Sequence, residues 1–248
     1  MPDARTAVLE LRQYTLHPFK RDVLIDLFER EFVESQEEAG MSVLGTFRDL
    51  DDPDRFVWLR GFAGLPERTE ALRRFYDGPV WRAHRDVANA AMVDSDNVLL
   101  LRPARAGGGL DAPAGPPPRA AVRAAPGRIE ARIHYLDRAA TQAQLDAFDA
   151  VRPVLEAAGA QLLAVLVTEP APNAFPRLPV REGEWVLAWF AQFRDDESQR
   201  RARAILAASP QWRRFEGELS RHAPRRPDAL RLAPTARSRL PDFRSPAA

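Results

Sequence analysis

The chain has 248 residues, 45% of them hydrophobic, and 36 basic residues balance 35 acidic ones at a net charge of +1. That is enough apolar material for a packed core, and it leaves no global field to draw in nucleic acid or an anionic membrane surface. Cysteine is absent, which excludes disulfides, thiolate catalysis and cysteine-ligated metals. With no apolar run near the roughly 18 residues of a membrane span and no room for a leader before residue 7, this predicts a cytoplasmic protein.

Residues 8–16 alternate, with Leu9 and Leu11 on one side and Glu10, Arg12 and Tyr14 on the other, the pattern of a strand. A helix is predicted over 20–38, where Leu24, Leu27, Phe28 and Phe32 recur at three- and four-residue spacing and Gly40 suits the position past its end. Strands follow over 41–49 and 55–62, the second carrying Phe56, Trp58 and Phe62, with an acidic turn between them. A helical region over 66–92 must break at Gly78-Pro79, because proline lacks the N–H and clashes with the preceding turn; Pro79 then opens a new helix. Residues 97–102 read as a closing strand.

Residues 104–127 change character, with Gly107-Gly108-Gly109 and Pro116-Pro117-Pro118 in an Ala/Arg background. They read as a linker able to cross tens of ångströms at about 3.1 Å per residue when extended. The triglycine leads into prolines and not a helix, so it lacks the setting of a phosphate loop. Beyond the linker the order repeats. Residues 129–136 form a strand with Glu130, Arg132 and His134 on one face. Thr141 with Gln144 makes a capping box for a helix whose stripe is Leu145, Phe148, Val151 and Leu155, and Pro153 predicts a kink or break near Arg152. Strands over 161–168 and 184–194 flank a long proline-bearing loop. Another interrupted helical region has Ser209 as N-cap before Pro210, a strand covers 228–232, and 234–248 reads as a flexible tail.

The landmarks thus come twice: Glu10, Arg12 and Tyr14 return as Glu130, Arg132 and His134, and Gly78-Pro79-Val80-Trp81 returns as Ser209-Pro210-Gln211-Trp212. A repeat of this length is domain-sized, and its strand-helix-strand-strand-helix-strand order is the ferredoxin-like split βαβ arrangement. Such a sheet carries helices on one face only, and a second sheet can cover the other. The expected fold is α+β, with two ferredoxin-like βαββαβ halves, 1–103 and 128–233, forming an intrachain pseudo-dimeric α/β barrel across the 104–127 linker. An outer surface is left for a homo-oligomer, and the linker permits an exchanged dimer.

Glu10-Leu11-Arg12-Gln13-Tyr14-Thr15-Leu16, the strand at Val57-Trp58-Leu59 and Asp77-Gly78-Pro79-Val80-Trp81, in that order, resemble the NIPSNAP family of the dimeric α/β-barrel superfamily. The resemblance runs over 8–103 and, in degenerate form, over 128–233, which implies two tandem copies. It implies a barrel but no single reaction. Relatives in the wider superfamily include cofactor-free monooxygenases, isomerases and haem-using enzymes, whose activities transfer only by analogy of fold.

In a barrel of two facing sheets, Glu10, Arg12, Tyr14, Glu130, Arg132 and His134 are expected to face the shared interior, where they orient or titrate a small ligand. Pairing of Glu with Arg along one strand face is the competing reading. Trp58 and Trp189 are expected to wall the same cavity or to serve as sheet packing. Tyr14 against His134 makes the two ends unequal, with His134 titrating near neutral pH and a ligand sitting nearer to it. The four histidines show no HxH or HExxH spacing, so no metal is expected, and no nucleophile elbow or cofactor loop is present. The expected function is binding of a small apolar or aromatic molecule, or of a partner. The alternative is a cofactor-independent isomerase, cyclase or monooxygenase acting in the inter-sheet cavity. In it His134 or Tyr14 would transfer a proton and Arg12 or Arg132 would stabilise negative charge.

Overall fold

The computed structural model describes residues 6–106, 108–110, 115–119, 127–221 and 223–240. The strands are β1 (Val8–Leu16), β2 (Ser42–Asp49), β3 (Arg55–Phe62), β4 (Met92–Asp94), β5 (Val98–Pro103), β6 (Arg128–Leu136), β7 (Gln161–Thr168), β8 (Trp185–Phe193) and β9 (Asp228–Pro234). Eight of them close an antiparallel ring in the order β3-β2-β9-β6-β8-β7-β5-β1 and back to β3, while the short β4 pairs only with the end of β1. Two seams join the parts of the chain before residue 104 and after residue 127. In one, Phe47 to Asp49 pair with Pro234 to Leu232; in the other, Leu101 to Pro103 pair with Thr168 to Leu166. An even number of antiparallel steps separates β1 from β6, so the two strands run in the same direction and finish at the same end of the barrel.

The helices lie outside the ring: α1 (Arg21–Leu27), α2 (Val33–Glu38), α3 (Leu65–Tyr76), α4 (Pro79–Ala91), α5 (Gln142–Ala157), α6 (Asp196–Ala208) and α7 (Pro210–Ser220). The helix expected over 20–38 is two helices joined by one π-helical turn, Phe28–Phe32. The break at Gly78-Pro79 separates α3 from α4, and Ser209 caps α7 by accepting from the Trp212 N–H at 3.3 Å. Thr141 forms its capping box with Gln144. No break occurs near Arg152, because α5 continues through Pro153; the ring removes one backbone donor and the rest of the helix holds. The segment expected as a flexible tail packs as far as residue 240. Thr235 meets Thr46 Oγ1 to Oγ1 at 2.6 Å, Leu240 is buried in the barrel core, and Arg237 pairs with Glu34. The hydrogen bond from Arg237 is the main reason that the Glu34 carboxyl is held down to about 2, against the opposing effect of its partial burial. Residues 241–248 lie outside the described residues.

The barrel interior is filled mainly with aliphatic side chains, with Phe47 and Phe190 buried among them. Leu9, Leu11, Leu59 and Leu101 meet Ile129, Ala131, Ile133 and Leu232 in one fully buried cluster. Burying each such large side chain is worth about 1.5–3 kcal/mol, which makes this layer the main bond between the two parts of the chain. The opposite strand face, carrying Tyr14, Phe56, Trp58 and Phe62, packs with Leu24, Phe28 and Phe32 of the helical layer. This reverses the expected assignment of faces. Glu10, Arg12 and Tyr14 lie under the helices, outside the ring, as do Glu130, Arg132 and His134 on β6. Alternation separates two faces but does not say which is inner. The ring interior takes mainly Leu, Ile, Val and Ala with Phe47 and Phe190, and the space beneath the helices takes the indoles of Trp58 and Trp189.

Candidate functional site

In the first half of the chain the helix-facing side of β1 holds a buried ionic cluster. Glu10 stands opposite Arg60 of β3 in the register, and Arg12 stands opposite Trp58. The Glu10 carboxylate accepts from Arg12 Nη1 at 2.7 Å, Arg60 Nε at 2.8 Å and Arg68 Nε of α3 at 2.7 Å. Burial alone would raise the carboxyl pKa, but Arg60, Arg12 and Arg68 outweigh it and hold Glu10 well below the usual carboxylate range. Further guanidinium contacts are Arg12 Nε to Tyr14 OH at 2.9 Å, Arg60 Nη1 to Gln36 Oε1 at 3.1 Å and Arg68 Nη1 to Asn173 Oδ1 at 3.0 Å, while Arg60 Nη2 and Arg68 Nη2 have no hydrogen-bond partner among the described residues. Burial pushes the Tyr14 hydroxyl up, which keeps it protonated. Trp58 is enclosed by Arg60 at 5.0 Å, Arg12 at 5.6 Å and the Phe28 ring at 4.8 Å.

The long loop between β7 and β8 completes this enclosure. Asn173 supplies the acceptor for Arg68, Phe175 is buried in the first half's helical layer 6.2 Å from Tyr76, and Arg177 pairs with Asp77 at 2.8 Å. The first half has only a tight turn between β2 and β3, so it extends no equivalent cover over the second half.

The second half places the same residue types in a looser setting. Arg132 stands opposite Trp189, as Arg12 does opposite Trp58. Glu130 accepts from Arg203 Nε at 2.8 Å and Gln199 Nε2 at 3.3 Å, and Arg132 Nη2 donates to Glu216 Oε1 at 2.6 Å. Where Arg60 follows Trp58 by two residues, Ala191 follows Trp189. Where α3 carries Arg68 and ends in Tyr76, α6 carries Gln199 and reaches Ala207. Beside the small Ala207 side chain opens a cleft of about 240 Å³, lined by Glu130, Arg132, Trp189, Arg203, Leu206, Ala207, Trp212, Glu216 and Ala229. Two buried donors in its lining residues, Trp189 Nε1 and Arg132 Nε, have no partner among the described residues. Trp58 Nε1 is also unpartnered, but beneath the closed cover of the first half.

The structure brings the expected residues together as two groups of four, one in each half, and not in one chamber. Glu130, Arg132 and Trp189 line the cleft, whereas His134 sits beneath it at 2% exposure, edge-on to Phe215 at 5.9 Å. Burial first, and the Arg132 charge second, push the His134 imidazole down to about 3. It is neutral at pH 7, which corrects the expectation that it titrates near neutral pH. Arg60, Arg68, Gln199, Arg203 and Glu216 complete the two groups and were not foreseen. One signal was available for Arg68, which shares the buried face of α3 with Ala71, Leu72 and Phe75, a position where an arginine needs a buried partner.

With this geometry in hand, comparison with known proteins identifies the first half. Residues 9–106 match the NIPSNAP family model. The first part of the chain is thus similar to NIPSNAP proteins over residues 9–106. No curated protein matches it. Among solved structures it is similar to an anthrone oxidase-like protein, at 13% identity over 93% of this chain and 92% of that one with a TM-score of 0.55. It is also similar to a NIPSNAP family protein of unknown function from Agrobacterium tumefaciens, at 22% identity over 41% of this chain and 91% of that one with a TM-score of 0.38. The first of these likenesses covers both parts of the chain and supports an α/β-barrel fold. Among the described residues no helix is long and apolar enough to cross a membrane.

Proposed function

We propose that this protein is a single-chain pseudo-dimer of two ferredoxin-like halves that binds one small ring-bearing carbonyl compound in the cleft of its second half. The observation that carries this reading is the pair of buried, unpartnered donors, Trp189 Nε1 and Arg132 Nε, in residues that line an apolar-walled cleft. An unmet buried donor costs about 1–3 kcal/mol, a cost that a ligand oxygen relieves. Arg132 and Arg203 are balanced by Glu130 and Glu216, which favours a neutral carbonyl over a second anion. Leu206, Ala207 and Trp212 suit an apolar or aromatic body. Binding is favoured over turnover because both proton carriers of the enzymatic alternative are buried, His134 as a neutral ring and Tyr14 as a phenol tied to Arg12. The absence of cysteine supports a cytoplasmic setting.

The test is a binding screen of the full chain against small aromatic ketones, aldehydes and acids, with acetophenone as the first probe, repeated on Ala207→Tyr. Saturable binding that Ala207→Tyr weakens supports the reading. Binding that is indifferent to that substitution, or turnover that depends on His134, contradicts it.

A further inference from the structure

The inward row of β1 is Leu9, Leu11, Gln13, and that of β6 is Ile129, Ala131, Ile133, Tyr135. Both rows turn polar at the end where the two strands finish together, so the aliphatic filling stops short of one barrel mouth. The mouth is a basin of about 690 Å³ whose lining includes Gln13, Asp94 and Asp96 from the first half and Arg181, Arg225 and Asp228 from the second. Its floor is ordered by hydrogen bonds. Tyr135 OH donates to Asp228 Oδ2 at 2.6 Å, Arg181 Nη1 donates to Asn97 Oδ1 at 3.1 Å, and the Arg225 guanidinium lies 3.6 Å over the Tyr135 ring. Within this network Gln13 stands out. It is 3% exposed, it lines the basin, and its Nε2 has no partner among the described residues.

The charges around the basin are unevenly committed. Arg181 is engaged by Glu184, and Arg55 by Asp49 and Asp52, all three carboxylates lying outside the basin lining. Asp94 and Asp96 are exposed and have no ion-pair partner among the described residues. Arg225 faces Asp228 only at 3.5 Å, longer than a charge-assisted hydrogen bond. One side of the mouth therefore offers two exposed carboxylates outside any ion pair among the described residues, Asp94 Oδ1 accepting from the Asp96 N–H at 2.8 Å and Asp96 Oδ1 from Ser95 Oγ at 3.5 Å, and the other a guanidinium resting on the Tyr135 ring with an unmet amide donor beside it.

We propose that the barrel mouth binds a small zwitterion of about dipeptide size, its ammonium on Asp94 and Asp96 and its carboxylate on Arg225 and the Gln13 amide. The ligand bridges the two halves, so this site exists only when the ring is closed. It is distinct from the cleft beneath α6 and α7; among the lining residues only Ala229 borders both.

Calorimetric titration of the full chain tests this with three probes of nearly equal size: alanylalanine, N-acetyl-alanylalanine and alanylalanine amide. The expected result is saturable binding of alanylalanine that weakens about tenfold or more in each charge-stripped probe, since each loses a charge-assisted contact. The paired substitution Asp94→Asn and Asp96→Asn, both at exposed positions, is expected to weaken binding by about tenfold with an unchanged melting temperature, and Gln13→Leu by about fivefold. Ala207→Tyr, which fills the other cleft, should leave it unaltered. No binding of alanylalanine, equal binding of a charge-stripped probe, or full affinity in the Asp94/Asp96 variant would each overturn the proposal.

Discussion

Glu10 and Glu130 occupy matching places on β1 and β6, yet they live in opposite conditions. Glu10 is sealed among Arg12, Arg60 and Arg68 beneath a loop donated by the other half of the chain. Glu130 has Gln199 and the partly exposed Arg203 as partners, and a cleft opens beside it. One strand pattern thus serves as a structural plug in one place and as a candidate recognition surface in the other. The decisive differences lie away from the shared pattern, in Arg60 against Ala191, Tyr76 against Ala207, and a long loop against a tight turn.

The largest contrast is expected from removing each carboxylate charge. Glu10→Gln leaves three buried guanidiniums without their counter-ion and should cost about 3–5 kcal/mol of stability. Glu130→Gln, with softer partners, should cost about 1–2 kcal/mol. Urea denaturation of both variants measures the difference, and equal losses would erase the distinction drawn between the halves.

Acid sensitivity comes next. His134 has its folded pKa depressed to about 3 from an ordinary 6.5, so the unfolded chain takes up the proton first as pH falls. The stability due to its neutral form is fully present above pH 6.5 and is lost progressively as pH falls toward the folded value, by roughly 1.4 kcal/mol per pH unit. Between pH 6.5 and the onset of carboxylate titration near 4.5 this amounts to roughly 2–3 kcal/mol. His134→Leu should flatten that limb of the pH–stability curve whatever it does to the plateau. Glu10, whose folded pKa is also lowered, adds its loss only below its ordinary value of 4.5.

A smaller effect is expected from placing at Ala207 the tyrosine that the first half has at the matching position, Tyr76. Ala207 is exposed, so Ala207→Tyr should change stability by no more than about 0.5 kcal/mol while weakening acetophenone binding by about tenfold. The smallest effect concerns the cover of the first half. Arg177→Ala breaks an exposed pair with Asp77 and should cost no more than about 0.5 kcal/mol. It should nonetheless speed hydrogen exchange of the amides at 173–178.

Element order, the Gly78-Pro79 break, the capping box at Thr141 and the apolar-versus-polar alternation of β1 and β6 were all legible in the sequence, because each rests on local periodicity or backbone chemistry. The facing of those strands was not. Leu9 and Glu10 are equally consistent with either side being inner until the ring's diameter is known. Nor was the asymmetry of the site. Asn173 lies more than a hundred residues from the Arg68 it satisfies, and nothing local marks Ala191 as the place where a third arginine is missing. Pro153 misled in the other direction, since a long helix tolerates one absent donor when its remaining turns are capped and packed.

The direct measurement is a ¹⁵N–¹H correlation spectrum of the tryptophan indole region while the full chain is titrated with acetophenone. The chain has five tryptophans, and Trp58→Phe and Trp189→Phe assign the two signals that matter. The expected result is a saturable shift of the Trp189 indole N–H with the Trp58 signal unmoved, because only the first of these unpartnered donors belongs to an open cleft. A shift of Trp58 with Trp189 unmoved, or saturable binding that moves neither, would contradict the assignment of closed and open halves.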